Sequence, residues 1–259
     1  MNTVLRAFLL SALALLGPKM AQAQTALVNL DFENSGDRFA QTGTAATTFA
    51  TGKGNVTFGS GIGGGTAAVF DGSSSLRASG NPVTNGLTVA FWMNTTSSYG
   101  GGSNWYGGAG LVDGELPSDT ADWGLSLLGN KVAFGIGASD YTLISTTSVN
   151  TGAWIFVAGT WDTSGVMKLY VNGTLEANYT TASTANRRTD NQFFIGQDVG
   201  GGTYTGSLDQ IRIYGVALNA GQISALHASA IPEPSTYAAL LGAAALGLAC
   251  YRRRRRALR

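Results

Sequence analysis

The densest group of chemically capable side chains lies between Ser97 and Trp123. There Asp113, Glu115, Asp119 and Asp122 are interspersed with Tyr99, Trp105, Tyr106 and Trp123 among glycines. Aromatic rings stack on the apolar faces of sugar rings, and carboxylates beside them accept hydrogen bonds from hydroxyls. Trp105, Tyr106, Asp113, Glu115, Asp122 and Trp123 are therefore the candidate carbohydrate-binding residues. The alternative reading is that both indoles pack and the acids are solvated. Paired carboxyls also hydrolyse glycosides, when about 5–5.5 Å apart for retention or about 6.5–9.5 Å for inversion. Asp113 and Glu115, two positions apart, share one face of a strand, but Pro117 interrupts it.

A second candidate is Asp209, in the run Thr205 to Ala217. Strict alternation puts Leu208, Gln210, Arg212 and Tyr214 on one face and Asp209, Ile211 and Ile213 on the other. A carboxylate on a core-facing stripe must be paired, hydrogen-bonded or metal-bound, because an isolated buried charge is very costly. Other chemistry is nearly excluded. The one histidine is His227 and the one cysteine is Cys250, which leaves no Ser-His-Asp triad, Cys-His dyad or His-based zinc site.

The elements that must position these groups are short strands. Val28, Leu30 and Phe32 alternate in 26–33, and Leu87, Val89, Phe91 and Met93 alternate in 87–94. Runs at 123–128 and 131–135 flank Gly129-Asn130, and Asn172-Gly173 is the strongest short hairpin signal in the chain. Residues 192–196 and 205–214 complete the set. Only 219–228 reads as a helix, with Asn219 as N-cap. Such strands, spaced by Gly, Asn, Asp and Ser turns, predict an all-β antiparallel sandwich of two sheets with one short C-terminal helix. The glycine clusters 61–65, 100–102 and 200–202 precede no helix, so they are loops and not phosphate cradles.

The ends read as addresses. Arg6, the apolar run 7–16 and Ala21-Gln22-Ala23 form a secretory signal peptide over 1–23. Residues 24–229 are the folded domain. They hold eight Lys and Arg against 14 Asp and Glu, a net charge of −6, which argues against nucleic acid as a partner. About 206 residues suffice for one sizeable core, and a secreted domain with no cysteine relies on that core rather than on disulfides. Pro232-Glu233-Pro234 cannot continue a helix and precedes an apolar run at 237–251, followed by Arg252 to Arg256. That run is a membrane segment whose arginines stay on the cytoplasmic side. Residues 231–256 resemble the PEP-CTERM sorting signal of Gram-negative envelope proteins. The resemblance implies recognition by an exosortase-type protease, a place in the envelope, on the cell surface or in the matrix, and a link to exopolysaccharide. A plain, uncut anchor is the alternative.

Within the domain, FDG (70–72), LTVAFWM (87–93), SVNTGAWIFVAGTWD (148–162), KLYVNGTLEA (168–177), FFIG (193–196) and GSLDQIRIYGVALNAGQISAL (206–226) occur in that order. This order resembles the laminin-G-like, concanavalin A-type jelly rolls over roughly 26–226. The resemblance implies two curved sheets with a concave face that meets carbohydrate, and a structural calcium at Asp209 with Asp31 as a weaker co-ligand. It implies no single activity. The Glu-x-Asp-x-x-Glu trio of laminarinase-type members is missing at 113–118. The expectation is a binding module for extracellular polysaccharide that is not an enzyme. A protein-binding adhesion module and a polysaccharide hydrolase or lyase are the alternatives.

Overall fold

A computed structural model describes residues 24–100, 102–116, 121–137, 141–181, 192–200 and 202–229. The expected signal peptide, the Pro232-Glu233-Pro234 motif and the membrane segment 237–251 lie outside them. Among the described residues no helix is long and apolar enough to cross a membrane.

In chain order the strands are β1 (Val28–Leu30), β2 (Phe49–Lys53), β3 (Thr57–Ser60), β4 (Thr66–Asp71), β5 (Ser75–Ala78), β6 (Leu87–Asn94), β7 (Ala109–Asp113), β8 (Trp123–Leu128), β9 (Lys131–Ile136), β10 (Tyr141–Ile144), β11 (Ile155–Trp161), β12 (Val166–Val171), β13 (Thr174–Thr180), β14 (Phe194–Ile195) and β15 (Thr205–Tyr214). One helix, α1 (Ala220–Ser229), follows. The strands form two antiparallel sheets. The eight-stranded one runs β13-β12-β11-β6-β15-β4-β3, with β1 also on β15. The seven-stranded one runs β10-β9-β8-β7-β14-β5-β2. The fold is therefore the expected jelly-roll sandwich.

Local chemistry explains the turns. Leu128 pairs with Lys131 across Gly129-Asn130, and Val171 with Thr174 across Asn172-Gly173. Asn172 and Gly173 both have positive φ, 49° and 76°, as a type I′ turn requires. Asn219 caps α1 reciprocally. Its Oδ1 accepts from the Gln222 N–H at 3.0 Å, while its own N–H donates to Gln222 Oε1 at 2.9 Å.

The core lies between the sheets. Val89, Phe91 and Met93 of β6 meet Trp123, Leu125 and Leu127 of β8 there. β6 is apolar on its other face too because α1 covers it. Ala90 and Trp92 pack with Phe156, Tyr170, Tyr214 and Ile223, and His227 stacks on Trp92 at 5.4 Å.

The closing strand β15 departs from strict alternation. Its register with β6 shifts between Asp209 and Arg212, and Gln210 takes φ 47°. This β-bulge resets the parity of the strand. Leu208 faces the core, and so do Ile211 and Ile213. Asp209 consequently lies on the outer face, opposite Trp92 of β6, and not on the stripe of Ile211 and Ile213.

Candidate functional site

Of the predicted residues, Trp105, Tyr106 and Asp113 gather on the outer face of the seven-stranded sheet. Thr142, Gly135, Gly124 and Asp113 form one rung across β10, β9, β8 and β7. The two central positions lack side chains, which leaves a trough, and the indole of Trp105 fills it. A Cβ on Gly135 would strike the five-membered ring and one on Gly124 the six-membered ring. The Trp105 backbone N–H donates to Thr142 Oγ1 at 3.1 Å, and the Ser126 hydroxyl donates to the Trp105 carbonyl. Tyr106 packs edge-on against Trp105 at 6.0 Å.

This seat leaves Trp105 0% exposed. Trp123 is also fully buried, but on the other face of β8, inside the core against Phe193. Neither indole offers a ring face to a sugar in this conformation. Of the two packing roles, that of Trp123 is written in its own period-2 partners Leu125 and Leu127.

The acids do converge. Asp113 and Trp105 both approach the empty position beside Gly124, with Asp113 Oδ2 3.1 Å from where a Cβ would sit. Asp113 is 0% exposed. Its Oδ1 accepts from the Glu115 N–H at 2.7 Å, whereas its Oδ2 has no hydrogen-bond partner among the described residues. Burial pushes the Asp113 carboxyl well above the usual range. The Glu115 N–H opposes the rise, and the charges of Glu115, Asp198 and Asp122 reinforce it. Asp122 is also buried and accepts from the Leu116 N–H at 3.4 Å. Asp198 went unrecognised in the sequence. It is buried, and its Oδ1 accepts from the Gly202 N–H at 2.7 Å, closing the 198–202 loop. Asp119 lies outside the described residues. Both Asp113 and the Trp105 indole beside it are shut off from solvent in this arrangement.

Asp209 has a separate setting. Its oxygens accept from the Ile62 N–H at 3.0 Å and the Gln210 N–H at 2.7 Å, and the side chain is almost wholly buried. Burial raises its pKa to about 7; the two N–H groups oppose this and the charges of Glu33 and Asp31 add to it. Glu33 and Asp31 serve the backbone as well, accepting from Thr66 at 2.7 Å and from Glu33 at 3.2 Å respectively. Among the described residues no group of three or more His, Cys, Asp or Glu side chains is arranged to hold a metal. Arg212 on the same strand donates to Asn29 and Gln210. Backbone N–H groups thus account for Asp209, and these residues are a poor fit for a calcium ion.

Comparison with known proteins places this geometry in context. The family described as the concanavalin A-like lectin/glucanases superfamily matches residues 63–224, and the PEP-CTERM protein-sorting motif matches 230–256. No curated protein matches the chain. Among solved structures, domain 4 of an extracellular GH43 arabinanase from Geobacillus stearothermophilus, in complex with arabinotriose, is similar. It is 20% identical with a TM-score of 0.61, over 80% of this chain and 100% of that one. The binding domain of botulinum neurotoxin DC, in complex with rat synaptotagmin II, is 13% identical with a TM-score of 0.62. That match covers 80% of this chain and 52% of the toxin domain, so the present chain spans about half the toxin domain's length. At these identities the likeness is one of fold.

Proposed function

The chain belongs to the concanavalin A-like lectin/glucanases superfamily, and from that membership we propose that it is an exported module that binds extracellular polysaccharide without cleaving it. The PEP-CTERM motif supports export and sorting to the envelope through an exosortase-type system. A Gram-negative producer and anchoring through 237–251 before processing are part of the same reading. The observation that carries the non-catalytic half is the burial of Asp113 under Trp105. Glycoside hydrolysis needs two carboxyls that flank the scissile bond, one of them able to protonate the leaving oxygen. Here Asp113 is shut off from solvent beside the Trp105 indole, which supports binding without cleavage.

The test is incubation of the full chain with polysaccharide extracted from the producing cells, measuring retention on the polymer and release of reducing ends together. Retention without release is the expected result. Release of reducing ends would make the protein a hydrolase. Neither retention nor release would remove the sugar-binding reading and favour a protein-directed adhesion role.

A further inference from the structure

Among the described residues, three of the six exposed large apolar side chains lie on two strands, β13 and β10. Tyr179 and Leu175 on β13 and Ile144 on β10 are 51%, 43% and 40% exposed. Among the described residues these are end strands of the two sheets, and they lie against each other on one side of the sandwich. Between them opens a cleft of about 140 Å³ lined by Tyr141, Thr142, Leu143, Met167, Asn178 and Tyr179. Leu143 and Met167 belong to the core, so the cleft is a lateral mouth of the sandwich interior. Tyr141 from one sheet and Tyr179 from the other face each other across it, with centroids 5.3 Å apart and rings inclined at 32°.

The two edges are tied together beside this cleft. Glu176 of β13 reaches the loop that follows β10. One of its carboxylate oxygens accepts from the backbone N–H of Thr146 at 2.7 Å and of Thr147 at 2.9 Å, and the other accepts from the Thr147 hydroxyl. A preformed gap spends little binding energy on ordering.

We propose that this cleft, with Tyr179 as its exposed platform, is the saccharide-binding site of the module. The inference rests on the polysaccharide-binding reading above. Among the described residues no Lys, Arg, Asp or Glu lines the cleft, which suits an uncharged sugar residue. Tyrosine rings meet the apolar face of a sugar, and Asn178 lines the same cleft. The volume falls below the roughly 300–1,000 Å³ of pockets that engulf a whole small molecule. It therefore takes one ring of a polymer, with the rest of the polymer lying along the edge strands.

Affinity electrophoresis of the full chain tests this, in gels cast with laminarin, linear arabinan, dextran or polysaccharide from the producing cells. Wild type, Tyr179→Ala and Tyr179→Phe are compared, with thermal melting as a check on folding. Retardation of the wild type by at least one polymer is expected, weakened about tenfold in Tyr179→Ala and largely retained in Tyr179→Phe, with melting unchanged. Equal retardation of wild type and Tyr179→Ala would overturn this site while leaving polysaccharide binding intact. Equal loss in Tyr179→Phe and Tyr179→Ala would overturn the ring-stacking role. No retardation of the wild type in any gel would sink the sugar-binding reading itself, and this site with it.

Discussion

The outer face of the seven-stranded sheet and the cleft between β10 and β13 both carry paired aromatics, half-buried Tyr106 against buried Trp105 in one and exposed Tyr179 against Tyr141 in the other. Trp105 lies in a trough cut by two glycines and has no exposed surface, whereas Tyr179 stands half in solvent at the mouth of the sandwich. The carboxyls differ in the same sense. Asp113 is pushed towards its neutral form by burial among other acids. Glu176 is partly buried, which raises its pKa, but hydrogen bonds from Thr147 and Thr146 outweigh this and leave it below the usual 4.5. One region has the composition of a sugar site and the burial of a packing cluster. The other has an unremarked composition and the exposure that binding needs.

The largest effect should come from emptying the trough. Trp105→Ala should cost about 3–5 kcal/mol of stability, as other buried aromatic truncations do, read by denaturant unfolding. Gly135→Ala should cost about 1–3 kcal/mol by displacing the same indole. A Trp105→Ala protein that kept its stability but lost polysaccharide would reverse the roles of the two regions. Next comes the cleft, where Tyr179→Ala should weaken polymer binding about tenfold and leave unfolding unchanged.

The pH dependence should have opposite signs in the two regions. Asp113 binds its proton more tightly when folded, so its contribution is full below the usual 3.8 and lost as pH rises through the raised value. Asp113→Asn should remove that decline from a stability-versus-pH curve. Glu176 contributes above its usual 4.5 and loses the contribution as pH falls through its lowered value. Glu176→Gln should flatten the acid limb instead. The smallest change is expected at Asp209: melting in calcium and in chelator should coincide, and a higher melting temperature in calcium would restore the metal that the family resemblance implied.

Much of this fold was legible in the chain. The alternation in 87–94, the Asn172-Gly173 turn and the Asn219 cap all appear where local chemistry put them. The bulge in β15 was not legible. No residue type demands a positive φ at Gln210, yet that one dihedral moves Asp209 from the inner to the outer face. The acid cluster was readable as a cluster, but its burial was not, because Gly124 and Gly135 become a trough only once β8 and β9 bring them side by side. The tyrosine cleft was hidden for a similar reason. Tyr141 and Tyr179 belong to different sheets, and their meeting depends on both strands being edges on the same side.

The division of labour between the two regions can be read most directly from the full chain carrying methyl-labelled methionine and indole-labelled tryptophan, titrated with polysaccharide from the producing cells. The Met167 methyl resonance should shift, since Met167 lines the cleft, while the Trp105 and Trp123 indole resonances stay in place. Movement of the Trp105 indole resonance with Met167 unmoved would contradict the account and place the ligand on the outer face of the seven-stranded sheet.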